Sequence, residues 1–279
     1  MQIDSISQNI FRRHIALPTD HGSWVFILSP LLIGLFAARG WSIASLYLIL
    51  AALAAFLIRQ PVTMAVKVYS GRRSRRDLAP AWFWMAVYGV TGLLALAGLI
   101  AQGYAYVLLL ALAGGPVFAW HLYLVSRRLE RRQLGVEIVA TGVLALAAPA
   151  AYWVGAGRPD PLGWLLWALV WFQSSASIVY AYLRLEQRAL REAPDAATRL
   201  RMGRRALLYA TFNLLAVAGL SVSGVLPWLL PFPYAVQWGE TLWGTLVKPA
   251  VGARPTAIGV RQLAISTLFT ILFIAAWNT

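Results

Sequence analysis

The sequence predicts an all-α, polytopic membrane protein, a single helical bundle with about nine transmembrane helices. Three observations carry that expectation. Of the 279 residues, 60% are hydrophobic and only 12% are charged, about half the charge that covers a water-soluble surface. Apolar stretches long enough to cross a hydrocarbon core of about 30 Å as helices recur from His21 onward. The basic residues, 24 against 10 acidic, fall almost wholly in short connections between those stretches, where Lys and Arg mark the cytoplasmic side.

Residues 1–20 are polar, carry Arg12, Arg13 and His14, and lack the apolar core and small-residue cleavage site of a signal peptide. They read as a retained cytoplasmic segment. Bounding apolar runs by charge, Gly or Pro places spans near 22–38, 43–66, 80–101, 104–125, 134–154, 162–183, 203–219, 222–239 and 260–277. With the N-terminus in the cytoplasm, every basic residue except Arg39 and Arg158 falls on that side or at the inner end of a helix. This predicts a multi-pass protein of the cytoplasmic (inner) membrane. The eighth span is the weakest, since Pro227, Pro231 and Pro233 each remove a backbone donor that lipid cannot replace; it is expected either to cross or to be re-entrant. Pro30, Pro61, Gly114-Gly115-Pro116 and Pro149 interrupt other helices, and such breaks persist where neighbouring helices satisfy the freed carbonyls. Nothing marks off a second domain, and 184–205 reads as a basic cytoplasmic loop.

Composition also excludes chemistry. With no cysteine, disulfides, thiolate nucleophiles, Cys-ligated zinc and iron–sulfur clusters are ruled out. The net charge of +14 is explained by membrane topology, so a nucleic-acid partner is not expected. No two acidic residues form D-x-x-D or D-x-x-x-D on one span, there is no P-loop and no H-E-x-x-H, and His14, His21 and His121 are scattered. No metal site and no cofactor are predicted. Trp and Tyr crowd the span ends as an interfacial belt.

Polar residues inside the spans are the functional clues, because an ionisable group at mid-membrane costs about 2.5–3.5 kcal/mol on insertion scales. Asp20-His21-Gly22 opens the first span, either as a helix cap with an interfacial histidine or as part of a site. Arg59-Gln60-Pro61, with Lys67 two turns on, sets a cation beside a predicted bend, a geometry that suits an anion; the alternative is snorkelling to the headgroups. Gln173, Ser177, Tyr180 and Arg184 make one stripe on the sixth span, and Arg205, Tyr209 and Asn213 another on the seventh. The stripes are either the wall of a hydrated pocket or interhelical hydrogen bonds. His121 and Glu137 are weaker candidates for the same interior.

Leu17-Pro18-Thr19-Asp20-His21-Gly22-Ser23-Trp24, followed by Ser29-Pro30-Leu31-Leu32-Ile33-Gly34, resembles the opening of the YwiC-like family of bacterial integral membrane proteins, chiefly through His21-Gly22-x-Trp24. The basic segment after the second span and the stripe from Gln173 to Arg184 lie where that family has similar features. More distantly, nine helices with polar features at the inner ends of spans two and six are similar to the UbiA superfamily of membrane prenyltransferases. That likeness implies a UbiA-like arrangement around an isoprenoid pocket. Where those enzymes carry Asp-rich motifs for Mg²⁺ and an isoprenyl diphosphate, this chain has Arg59-Gln60-Pro61 to Lys67 and Tyr180 to Glu186.

Together these readings predict that a membrane lipid or isoprenoid is held in an inward-facing polar pocket, its head near Arg59, Lys67 and Arg184. A permease for a small anion or lipid, a divergent metal-independent prenyltransferase, and a membrane subunit whose stripes serve only packing are the alternatives. The sequence names no protein partner.

Overall fold

Long apolar runs close their backbone hydrogen bonds internally as helices, and at three of them polar residues cap the start. Asp160 accepts from the amide of Leu162 at 2.8 Å with Pro161 in the first turn. Asp195 accepts from the amide of Thr198 at 3.1 Å, and Ser42 and Ser45 form a reciprocal capping box. In the computed structural model, which describes residues 11–18, 21–129 and 133–279, the result is entirely helical among the described residues. A short α1 (Arg13–Ala16) precedes a 3-10 turn (His21–Trp24) and α2 (Val25–Ala38). Then come α3 (Ile43–Tyr69), α4 (Leu78–Ala101), α5 (Leu109–Ser126), α6 (Leu134–Ala145), α7 (Ala147–Ala156), α8 (Pro161–Gln187) and α9 (Ala196–Val222). The chain closes with α10 (Pro231–Leu242), a π turn (Trp243–Val247) and α11 (Pro255–Trp277).

Among the described residues seven helical stretches are long and apolar enough to cross a bilayer: Ile43–Tyr69, Arg75–Ala101, Ala105–Ser126, Leu134–Ala156, Pro161–Gln187, Ala196–Val222 and Pro255–Trp277. The protein is a multi-pass, all-α membrane bundle. The first expected span is a shorter apolar helix, Gly22–Ala38. The eighth is displaced: residues 223–230 form turns with Gly224 at φ +78°, and the helix begins only at Pro231. Pro231 and Pro233 thereby fall in a first turn, where a missing N–H costs nothing. The predicted basic loop 184–205 is also shorter, because α8 runs on to Gln187 and the Asp195 cap starts α9 at Ala196. Pro30, Pro61 and Pro116 lie within continuous helices, whereas the helix ahead of Pro149 breaks at Leu146.

Side-chain bonds show which ends of the helices lie together. At one end Arg12 pairs with Asp77 at 2.9 Å, Arg72 donates to the carbonyl of Val125 at 2.6 Å, and Tyr182 donates to Glu137 at 2.6 Å. There too Gly252 donates to the carbonyl of Arg188 at 3.3 Å. At the other end Arg39 donates to the side chain and carbonyl of Asn278, both at 2.8 Å, and Gly40 packs against Gly155. α10 runs parallel to α8: Tyr234 donates to the carbonyl of Leu169 (2.9 Å), Gln237 to that of Gln173 (3.2 Å) and Arg184 to that of Gly244 (2.6 Å). The segment from Leu230 to Lys248 thus passes from the Arg39 end to the Arg12 end.

α8 is the most enclosed of the long helices, packed against α2, α6, α7, α9 and α11. α4 and α5 lie at the periphery, and α2 meets α11. Between apolar helices in lipid there is little hydrophobic force, so close contact of small residues holds the seams. Gly34 of α2 lies directly on the carbonyl of Ala148 and on Ala151 of α7, and Gly155 takes Ala38 and Gly40 in the same way.

Candidate functional site

Because α8 is surrounded, its polar stripe cannot reach water sideways; it is satisfied across the bundle or opens at the end. Both occur. Deep in the membrane the stripe is knitted to neighbours: the carbonyl of Gln173 accepts from Gln237, and Asn213 of α9 donates to the carbonyl of Phe172 at 2.7 Å. Asn213 thus pins two helices through its side chain, whereas Gln173 takes part through its backbone carbonyl. Nearer the Arg12 end, α8, α10 and α11 part to form a cleft of about 120 Å³. Ser177, Tyr180 and Arg184 line it from α8, Gln237, Glu240 and Thr241 from α10, and Ala257, Ile258, Arg261, Gln262 and Ile265 from α11.

Three charged side chains line this cleft. Arg261 clasps Glu240 through two parallel bonds, Nε to Oε1 at 2.6 Å and Nη2 to Oε2 at 2.7 Å, the fork geometry that makes such pairs strong. The Tyr180 hydroxyl donates to Glu240 Oε1 at 3.0 Å, and the Arg261 guanidinium stacks over Trp243 at 4.2 Å. Arg184 is 8% exposed. Its Nη1 donates to the carbonyls of Gly244 (2.6 Å) and Lys248 (2.7 Å) and to Gln187 Oε1 (3.1 Å). A cation there meets the partial negative charge of the carbonyls at the end of the π turn that continues α10. The close approach requires Gly244, since a Cβ at that position would meet the Tyr180 hydroxyl and Arg184 Nη1. Among the described residues no group of three His, Asp or Glu side chains gathers to hold a metal.

The other predicted residues stand elsewhere. Gln60 donates to the carbonyl of His14 at 2.8 Å, tying α3 to α1. Arg59 sits over the ring of Phe56 at 5.2 Å, and Phe56 packs on Trp24. Lys67 lies in the last turn of α3 and His121 on α5, and neither lines the cleft. His21 opens the 3-10 turn; its side chain and Asp20 lie outside the described residues. Glu240 and Arg261 escaped the sequence reading because they lie on separate helices with no shared periodicity. The available signal was weak: Ala257, Ile258, Arg261, Gln262 and Ile265 share one face of α11.

A second, apolar groove of about 430 Å³ runs between α2 and α11, lined by Trp24, Leu28, Leu32, Phe36, Leu263 and Ile271 among others. At 100° per residue it occupies the face of α11 opposite the cleft.

Comparison with known proteins bears on the N-terminal part. Residues 17–152 match the model of the family described as YwiC-like protein. Over that stretch the chain is similar to the YwiC-like proteins. A relative named "Uncharacterized protein YwiC", from Bacillus subtilis (strain 168), is 26% identical over 171 residues, 60% of this chain and 67% of the relative. No solved structure matches the chain, so the UbiA likeness rests on the sequence resemblance alone. The family match covers α2 to most of α7 and ends before α8, so the residues of the cleft lie beyond it.

Proposed function

We propose that the protein sits in the bacterial cytoplasmic membrane with its N-terminus in the cytoplasm, and holds the head of an amphipathic lipid or isoprenoid in the α8–α10–α11 cleft. The observation that carries this reading is the pairing, in one opening at the basic end of the bundle, of the buried Arg184 with the half-exposed Arg261. Charge bias supports the orientation, since among the described basic side chains Arg39 and Arg158 alone belong to the opposite end. The cleft then opens at the inner headgroup layer, where a lipid head meets it without leaving its own depth. Hydroxyl and amide groups of Ser177, Tyr180, Gln237 and Gln262 line the space beside the cations. Cations would neutralise directly the charge that Mg²⁺ neutralises in the UbiA enzymes; the only carboxylate lining the cleft, Glu240, is already engaged by Arg261.

Native mass spectrometry of detergent-purified protein tests the reading. Wild type is expected to retain an anionic lipid that Arg261→Gln loses, while Arg59→Ala, outside the cleft, leaves retention unchanged. Equal retention by wild type and Arg261→Gln would refute it. A permease working through the same interior is favoured by the break at Leu146 and by the short α10 with its π turn; uptake of a labelled anion into proteoliposomes separates the two.

A further inference from the structure

The charges that line the cleft do not balance, and the imbalance selects the ligand. Resting on the binding reading above, we infer that the cleft is matched to a head bearing one negative charge, a phosphodiester, and discriminates against the doubly charged phosphomonoester. Arg184 and Arg261 supply two positive charges and Glu240 one negative, leaving one charge to be neutralised. Lys248 does not line the cleft; its ammonium stands over the Trp243 ring at 5.7 Å and the residue is exposed, so at the headgroup layer salt screens its reach.

The geometry makes the surplus available. Glu240 occupies Arg261 Nε and Nη2 and takes the Tyr180 hydroxyl, so Arg261 is neutralised within the protein. Arg184 is held by Nη1 alone, on two backbone carbonyls and a neutral amide oxygen. Among the described residues no carboxylate pairs with it, and Arg184 is more than nine-tenths buried. A buried cation faced only by dipoles is the element of the site that gains most from an incoming anion. Arg184 has five N–H donors, and those on Nε and Nη2 are not used by the carbonyl cap. A monoanion bonded there brings the cleft to neutrality with the Arg261–Glu240 clasp intact. A dianion leaves one negative charge uncompensated beside Glu240, or must displace Glu240 from Arg261 and strand its carboxylate.

The test compares phosphatidylglycerol with phosphatidic acid of identical acyl chains on the full-length protein by native mass spectrometry. At about pH 8.5 the phosphomonoester carries nearly two charges. Wild type is expected to favour the diester by about tenfold. Glu240→Gln raises the surplus to two and should reverse the order; Arg261→Gln removes it and should weaken both. Equal retention of the two lipids by wild type, with Arg261→Gln still weakening both, would overturn the charge matching and leave the binding reading standing. If Arg261→Gln changes neither, the binding reading itself falls. Should Glu240→Gln fail to fold, wild type alone decides: lowering the pH to about 5 returns the monoester to one charge and must abolish the preference, and a preference unchanged with pH sinks the inference.

Discussion

Arg184 shows how one side chain serves packing and chemistry together. It closes the π turn after α10 by donating to the carbonyls of Gly244 and Lys248, and the same guanidinium lines the cleft. A lysine keeps the charge but replaces the planar fork with a point charge on a flexible stem. Arg184→Lys is therefore expected to cost about 1.5–3 kcal/mol, the range for a hydrogen bond to a charged group, read as a lowered Tm in detergent. Gly244→Ala probes the other partner: its methyl meets the Tyr180 hydroxyl and Arg184 Nη1, and forcing the two helices apart should cost about 1–3 kcal/mol. Tyr180→Phe in the same chain removes one of the two obstructions and should recover part of the lost Tm; no recovery would place the strain elsewhere. At this scale the stripe was legible as a stripe, because Ser177, Tyr180 and Arg184 follow helical spacing on one element. Glu240 was not, because its partners Tyr180 and Arg261 are 60 and 21 residues away in the chain, and only the packing of three helices joins them.

Among the elements, α9 illustrates what a cap decides. Its 27 residues span about 40 Å at 1.5 Å per residue, longer than the hydrocarbon core of about 30 Å, so its first turns stand clear of the apolar layer with Arg199, Arg201, Arg204 and Arg205 on them. Composition alone assigned Arg199 and Arg201 to a loop and began the helix only at residue 203. The Asp195 bonds to Thr198, side chain and amide, hold the carboxyl below its ordinary value of 3.8. The folded-state pKa is depressed, so the cap's contribution is complete above the unfolded value and is lost as pH falls through the folded one. The protection factors of Ala196–Arg199, with intrinsic exchange divided out, should therefore fall on acidification below about pH 4 and stay flat in Asp195→Asn, which keeps an acceptor without a titrating proton. An equal fall in both would exclude Asp195 as the cause. The α2–α7 seam offers the contrast of a purely steric element. Gly34→Leu places a side chain on the carbonyl of Ala148, and the variant should unfold at markedly lower temperature. A glycine in an apolar run has no periodic signature, so this contact could not be read ahead of the fold, whereas the existence of the helices on both sides of it could.

For the whole molecule the decisive question is which ends of the helices share a side of the membrane. The apolar runs made the long helices legible, and the bias of lysines and arginines predicts their direction; what stayed hidden was the course of the eighth expected span, where three prolines obscure a segment that the bonds from Tyr234–Leu169 to Arg184–Gly244 lay along α8. Since the chain contains no cysteine, single-cysteine variants report position without background. Ser74 and Lys248 belong to the Arg12 end, Ser223 and Thr279 to the other, and all four are exposed. With the N-terminus in the cytoplasm, a membrane-impermeant maleimide added to intact cells should label Ser223→Cys and Thr279→Cys and leave Ser74→Cys and Lys248→Cys unlabelled until the membrane is opened. Labelling of exactly the opposite pair would keep the bundle and invert its orientation, turning the cleft to the outer leaflet. Labelling of Lys248→Cys together with Ser223→Cys would mean that α10 turns back within the membrane. The Arg184 bond to the Lys248 carbonyl could not then exist, and the cleft built on it would have no floor.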